Sequence, residues 1–316
     1  MRDLKRNLAQ AVLVATGVLL FTLGSSDAGV AGDGSGLADK LARVDRSVTW
    51  KQVAALDLDF PTHHPQGLVV TKDRYYLSSV EIIEPTVKYP EPKDGFDRTP
   101  GKGVGHLFVI DRPTGRLIKD VHLGHDIVYH PGGIDLYGGK ILVPVAQYRP
   151  NSGADIYTVN TRTFQVEHLF SVKDHIGGVV HDASSGRLVG NTWGSRTFYE
   201  WTTKGRLLHT WRNPQNFIDF QDCQYVPAGK LACGGVTSLP QQSGTDTYQL
   251  GGIALVDLRR RAVINDFPFQ QFSPDGQVMT RNPVKLAADP TGLTLWAAPD
   301  DGEQGTTIYT WHADLE

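Results

Sequence analysis

The chain has 316 residues, 31 basic and 34 acidic, a net charge of −3 and only two cysteines. That mildly negative balance argues against nucleic acid or an anionic membrane surface as a partner. Beyond an apolar N-terminal stretch, about 280 residues remain, enough for one large all-β domain.

Residues 1–31 read as an export signal. Arg2, Lys5 and Arg6 form a basic start. Ala11 to Leu23 is an apolar run too short for a comfortable membrane span. Ser26-Asp-Ala28 and Gly29-Val-Ala31 offer small-residue cleavage sites. The competing reading is an uncleaved anchor or a buried helix. Export predicts a secreted, extracellular protein with no stable membrane insertion after signal removal. Residues 32–46 read as a flexible linker and 47–316 as the folded domain.

Within the domain a short pattern recurs: a polar residue, a turn, then a strand hairpin. It runs His64-Pro-Gln-Gly67, His130-Pro-Gly-Gly133 and His175-Ile-Gly-Gly178, with weaker copies at Asp219-Phe-Gln-Asp222 and Arg281-Asn-Pro-Val284. The intervals are 66, 45, 44 and 62 residues, which suits stacked four-stranded units, the blades of a propeller. Predicted inner hairpins include Leu68–Val70 with Tyr75–Val80, Ile134–Tyr137 with Lys140–Ala146, and Val179–His181 with Arg187–Asn191. Third and fourth strands follow, such as His106–Asp111 and Leu117–His122.

The fifth unit stops after its third strand, Thr307–His312, and Trp50–Phe60 is available to complete it. The expected fold is therefore a five-bladed β-propeller closed by an N-terminal strand, which removes the exposed sheet edge. A six-bladed ring with one blade hidden in a long connection is the alternative. Two insertions, Ile82–Val104 and Leu239–Leu250, read as turn-rich loops. Cys223 and Cys233 flank a hairpin turning at Pro227-Ala228-Gly229. That register sets them directly opposite each other, within reach of a disulfide. Two free thiols are the alternative.

In an antiparallel blade the start of the first strand and the end of the second share a face. The recurring residues therefore form a ring with the second-strand ends Glu81, Gln147, Trp193, Thr237 and Asp300. His64, His130 and His175 are equivalent by repeat and form a candidate ligand set for one divalent metal, the only cofactor the sequence suggests. The plainer reading is that each histidine caps its own turn. Asp219, Asp222 and Arg281 carry the ring's charge, either as an ion pair or as a fork for an anionic ligand. Trp193 and Tyr148 could stack on a sugar or serve packing. No Walker loop, HExxH, GxSxG or dinucleotide fingerprint occurs, and Ser195 has no spacing that marks a triad.

The runs His63-His-Pro-Gln-Gly67, Gly105-His-Leu-Phe-Val-Ile-Asp111, His130-Pro-Gly-Gly-Ile-Asp135 and Asn282-Pro-Val-Lys285 resemble an uncharacterised family of secreted bacterial and fungal proteins with a domain of unknown function. The resemblance spans roughly residues 47–314. It implies a propeller-like β fold and transfers no catalytic residue. The chain is also distantly similar to gluconolactonase-type propellers, which hold one divalent metal with a Glu, an Asn and an Asp. Glu81, Asn191 and Asp300 are the counterparts this suggests, although that family has six blades and Asn191 falls short of the strand end.

Together these observations point to an exported, monomeric propeller that binds a small polar or anionic ligand, with or without a metal, at an axial histidine-rich face. The candidate ligand-binding residues are His64, His130, His175, Glu81, Gln147, Trp193, Asp222, Arg281 and Asp300. A metal-assisted hydrolase or lyase is one alternative, and a non-catalytic carbohydrate- or protein-binding scaffold another.

Overall fold

The computed structural model describes residues 36–241 and 247–315. The expected export signal lies outside them. Five antiparallel sheets form a five-bladed β-propeller. Blade 1 comprises His64–Val70, Arg74–Glu84, Lys102–Asp111 and Leu117–Leu123. Blade 2 has a broken inner strand, His130–Pro131 and Asp135–Tyr137, then Lys140–Ala146, Ala154–Asn160 and Val166–Val172. Blade 3 comprises Ile176–Asp182, Arg187–Thr192, Thr197–Thr202 and Leu207–Arg212. Blade 4 comprises Asp219–Val226, Lys230–Pro240, Thr247–Asp257 and Ala262–Pro268. Blade 5 comprises Val284–Ala288, Gly292–Ala297, Thr307–Asp314 and, on its outside, Lys51–Asp57 from the other end of the chain.

The closing strand pairs Lys51 with His312 and Asp57 with Thr307. It thereby covers the edge that blade 5 would otherwise expose.

The core is divided among the gaps between blades. Side chains alternate along a strand, so an inner strand feeds both neighbours. Val69 packs toward blade 2, while Leu68 and Val70 pack toward blade 5. Five apolar clusters result, one per gap. Each fully buried Leu, Val or Phe contributes about 1.5–3 kcal/mol, so the ring is held by many equivalent wedges. Outer strands are the most exposed elements of the blades, Lys51–Asp57 on both faces.

The disulfide forms as the hairpin register requires, with Cys223 opposite Cys233 and a Cα separation of 4.1 Å. The turn places both Ala228 and Gly229 at positive φ.

Two expectations are corrected. Over residues 36–46 the segment read as a linker carries a short helix, Leu37–Leu41. Leu37, Leu41 and Val44 are buried in the gap between blades 4 and 5, and Asn265 Nδ2 donates to the carbonyls of Leu41 and Val44. The Gly-rich start hides a three-residue apolar stripe. The second correction concerns the insertions, which over their described residues are largely strand extensions. Glu81 pairs with Val104 and Glu84 with Lys102, and beyond them Lys88–Lys93 and Phe96–Arg98 form a ribbon. Pro240 pairs with Thr247 in the same way. The ribbon strands are wetted on both faces, so no apolar alternation marks them in the sequence.

The ribbon of blade 1 reaches its neighbours. The Arg149 guanidinium of blade 2 lies 3.5 Å from the Phe96 ring centre. The Arg98 guanidinium lies 5.1 Å from that of Trp193 in blade 3.

Candidate functional site

The axis has a closed floor. The inner strands approach so closely there that glycine is required: a Cβ on Gly132 would lie 2.2 Å from the Gly177 carbonyl oxygen. Gly133 N donates to that carbonyl at 2.8 Å, and Gly133 bridges Gly178 in parallel. Around this contact sits a satisfied polar network. Asp222 of blade 4 accepts from Leu68 N of blade 1 at 2.8 Å and from Ile134 N of blade 2 at 3.1 Å. Asp135 of blade 2 accepts from Tyr225 N at 2.9 Å and pairs with Lys285 Nζ of blade 5 at 3.2 Å. Gln224 of blade 4 exchanges two bonds with Leu286 of blade 5. Burial pushes the Asp222 carboxyl well above the usual carboxylate range.

Above the floor the inner strands bulge at one level. Register shifts fall between Pro65 and Gly67, between Ile176 and Gly178, and between Phe220 and Asp222. At that level the inner strand of blade 2 is interrupted. A bulge turns an extra residue out of the ladder and re-aims it. The extra residues Gln66, Gly177 and Gln221 all line one cavity of about 230 Å³. His64, His130, His175, Tyr148, Asn191, Trp193 and Asp219 complete most of its wall.

The three histidines of the repeat therefore meet in one cavity, with ring centres 6.5 Å apart for His64 and His130 and 6.0 Å for His130 and His175. Their partners differ. His64 Nδ1 bonds Asp301 Oδ1 at 2.6 Å. His175 Nδ1 donates to the Gln147 carbonyl at 2.8 Å, and Trp193 meets its ring edge-on at 4.8 Å. His130 stacks on Tyr148 at 4.2 Å. It is buried, and neither of its ring nitrogens has a hydrogen-bond partner. Burial holds its pKa well below the ordinary histidine value, and burial likewise lowers His175 to about 4. Both rings are neutral near neutral pH. Each then offers one N–H donor and one acceptor.

The other sequence candidates fall in different places. Trp193 lines the cavity, but Asp222 belongs to the floor. Gln147 meets the site through its carbonyl, since its side chain accepts from Arg149 Nε at 2.8 Å. Arg281 is not a free anion fork: both its terminal nitrogens bond Asp301 at 3.1 Å. Asp300 turns away to accept from Ser273 Oγ at 2.6 Å. The carboxylate that reaches the histidines is Asp301, one residue on, because the second strand of blade 5 ends at Ala297 and the chain changes direction through Pro299. Hydrogen bonds from His64 and Arg281 overcome burial and hold the Asp301 carboxyl well below the usual range.

Glu81 is off the axis. It lies with His63 and His106, whose ligand atoms and its own all fall within 4.8 Å of one another. His106, Asp120 and His122 form a second such group, and the axial trio is not among these sets. No sequence pattern singles out His63 or His106: the backbone of His63, at φ 55°, decides which of the paired histidines faces which site, and His106 comes from a neighbouring strand of blade 1.

The chain belongs to a family of unknown function, DUF6454, whose model matches residues 32–316. No curated protein sequence matches it. Among solved structures it is similar to the hydrazine synthase of Kuenenia stuttgartiensis, with 10% identity and a TM-score of 0.38 over 79% of this chain and 59% of that one. It is also similar to a luciferin-regenerating enzyme, with 10% identity and a TM-score of 0.47 over 85% and 96% of the two chains.

Proposed function

We propose that this DUF6454 propeller binds a small, polar, hydroxyl-bearing ligand in its axial cavity, against the wall that His130, Tyr148 and Trp193 form together. The observation that carries the reading is His130. A buried imidazole with no partner on either nitrogen costs about 1–3 kcal/mol per unmet group. Its position on a cavity wall gives that cost a use, because a ligand offering both a donor and an acceptor relieves it. Gln66, Asn191 and Gln221 supply further neutral polar groups, and the two aromatic rings supply flat apolar faces, a mix suited to sugar-like molecules. Arg281 is neutralised by Asp301, which weighs against a strongly anionic ligand. The disulfide fits an exported protein. No helix among the described residues is long and apolar enough to cross a membrane.

The test is titration with a set of monosaccharides, polyols and sugar acids, read by tryptophan fluorescence. A Trp193→Phe variant serves as the silent control. At least one compound should change the emission with millimolar or tighter affinity, and His130→Phe should weaken it at least tenfold. Equal binding by His130→Phe would place the ligand elsewhere and sink the reading.

A further inference from the structure

We propose that His63, Glu81 and His106 form a site for one divalent transition-metal cation of the zinc type, on the face of blade 1. Four observations converge on it, independently of the axial ligand.

The first is tautomer control. His106 Nδ1 lies 3.0 Å from Asp120 Oδ1, and His122 Nε2 lies 3.1 Å from Asp120 Oδ2. An ionised carboxylate only accepts, so the Nδ1 proton of His106 is committed to Asp120. The Nε2 of His106 is left as a bare lone pair. This is the arrangement by which a carboxylate fixes the tautomer and orientation of a metal-binding imidazole.

The second is that this lone pair has no donor. The His106 side chain is only 6% exposed, and its Nε2 is buried without a hydrogen-bond partner. Nδ1 of His63 is in the same condition. The rings of His63, His106 and Phe108 form a stacked column, with centres 5.1 and 5.0 Å apart. Packing explains that column and leaves both nitrogens unpaid.

The third is spacing. Glu81 Oε2 stands 3.8 Å from His106 Nε2, too far for a hydrogen bond. It is close to the separation of two ligands on one tetrahedral ion, about 3.3–3.5 Å for bond lengths near 2.0–2.1 Å. Two imidazoles and one carboxylate are a borderline donor set with a position left open. Glu303, on the loop between the second and third strands of blade 5, lies 3.8 Å from His63 Nδ1 and is placed to approach that position.

The fourth is backbone strain. His63 is held at φ 55° by a two-bond clip to Gly302. A non-glycine residue in this region costs of order 1 kcal/mol or more, and such strain collects at working sites. The clip sends His63 to blade 1 while His64 enters the axial cavity. Asp301 and Glu303 divide in the same way, Asp301 meeting His64 and Glu303 meeting His63.

The experiment is Zn²⁺ binding to the folded wild-type chain by calorimetry and elemental analysis, with Co²⁺ absorption as the spectroscopic probe. One ion per chain is expected, with micromolar or tighter affinity and visible Co²⁺ bands of low coordination number. Glu81→Gln, which changes a half-exposed side chain and leaves packing intact, should weaken binding at least 100-fold. Asp120→Asn should weaken it about 10- to 100-fold by loosening the orientation of His106. His130→Phe should leave it unchanged. A wild-type protein that binds no Zn²⁺ at 100 µM overturns the site. So does full binding by Glu81→Gln, or loss of the ion in His130→Phe with retention in Glu81→Gln, which would assign it to the axial trio.

Discussion

Asp222 and His130 both sit on inner strands and both are nearly inaccessible, yet Asp222 accepts hydrogen bonds from two other blades while the side chain of His130 makes none. The separation is short along the axis. At the floor, polar side chains cross between blades and meet backbone groups that the ring geometry would otherwise orphan. At the mouth, the bulges withdraw backbone from the axis and leave side chains facing space. Inner strands that build the structural plug thus also line, directly above it, the cavity. Burial alone does not tell them apart; whether the buried polar atom is satisfied does.

The largest effect that sharpens this contrast is expected at the floor. Asp222→Ala removes the acceptor of Leu68 N and Ile134 N, two donors in a buried setting. Each costs about 1–3 kcal/mol when unmet, so a loss of roughly 3–5 kcal/mol is expected by urea unfolding. A variant within 1 kcal/mol of wild type would mean that water reaches the floor and that the plug is not structural.

The mouth should respond with the opposite sign. His130→Phe keeps a flat ring against Tyr148 and removes two unsatisfied nitrogens. The ligand-free variant should be more stable by about 1–3 kcal/mol, with a melting temperature several degrees higher. Stabilisation at a residue required for binding is the signature of a site held at the expense of the fold. A destabilised His130→Phe would instead make His130 one more structural residue of the axis, and the contrast with Asp222 would collapse.

How much of this was legible in the sequence follows from which features are local. The five blades, the shared closing blade and the opposed cysteines rest on strand alternation and turn residues, which are written over a few positions each. The ring of His64, His130 and His175 followed from the repeat. Parity was not legible past a bulge. Asp219 and Gln221 face the cavity, but Asp222 goes to the floor, because the shift between Phe220 and Asp222 breaks the alternation. The displacement of Asp300 by Asp301 arises differently, beyond the end of the strand at Ala297, where alternation no longer applies. Glu81 was placed by its strand end alone. Its partners His63 and His106 come from a left-handed backbone and from a neighbouring strand, and neither is a sequence pattern. The helix Leu37–Leu41 was hidden because three apolar residues in a polar stretch carry too little periodicity to read.

The smallest effect isolates the protonation state behind the contrast. In the unfolded chain His130 titrates near pH 6.5, whereas in the fold burial keeps it neutral to a much lower pH. Between those values the unfolded state binds one proton more than the native state, so wild-type stability is complete above about pH 6.5 and declines as the pH falls. His175, at about 4 in the fold, adds a parallel decline, while the raised carboxyls of Asp222, Asp219 and Asp300 oppose it. Comparing wild type with His130→Phe cancels all of these to first order, since both proteins carry them. His64, His175 and Tyr148 face the ring in wild type, and Asp301 acts on it only through His64, so no carboxylate bonds the ring to rescue its proton. The advantage of His130→Phe should therefore widen by about 1.4 kcal/mol per pH unit below pH 6.5. It should be flat above that value. A gap that stays constant from pH 7.5 to 5 would show that His130 takes up its proton in the folded protein as readily as in the unfolded one, and the mouth would then be a wet, ordinary surface.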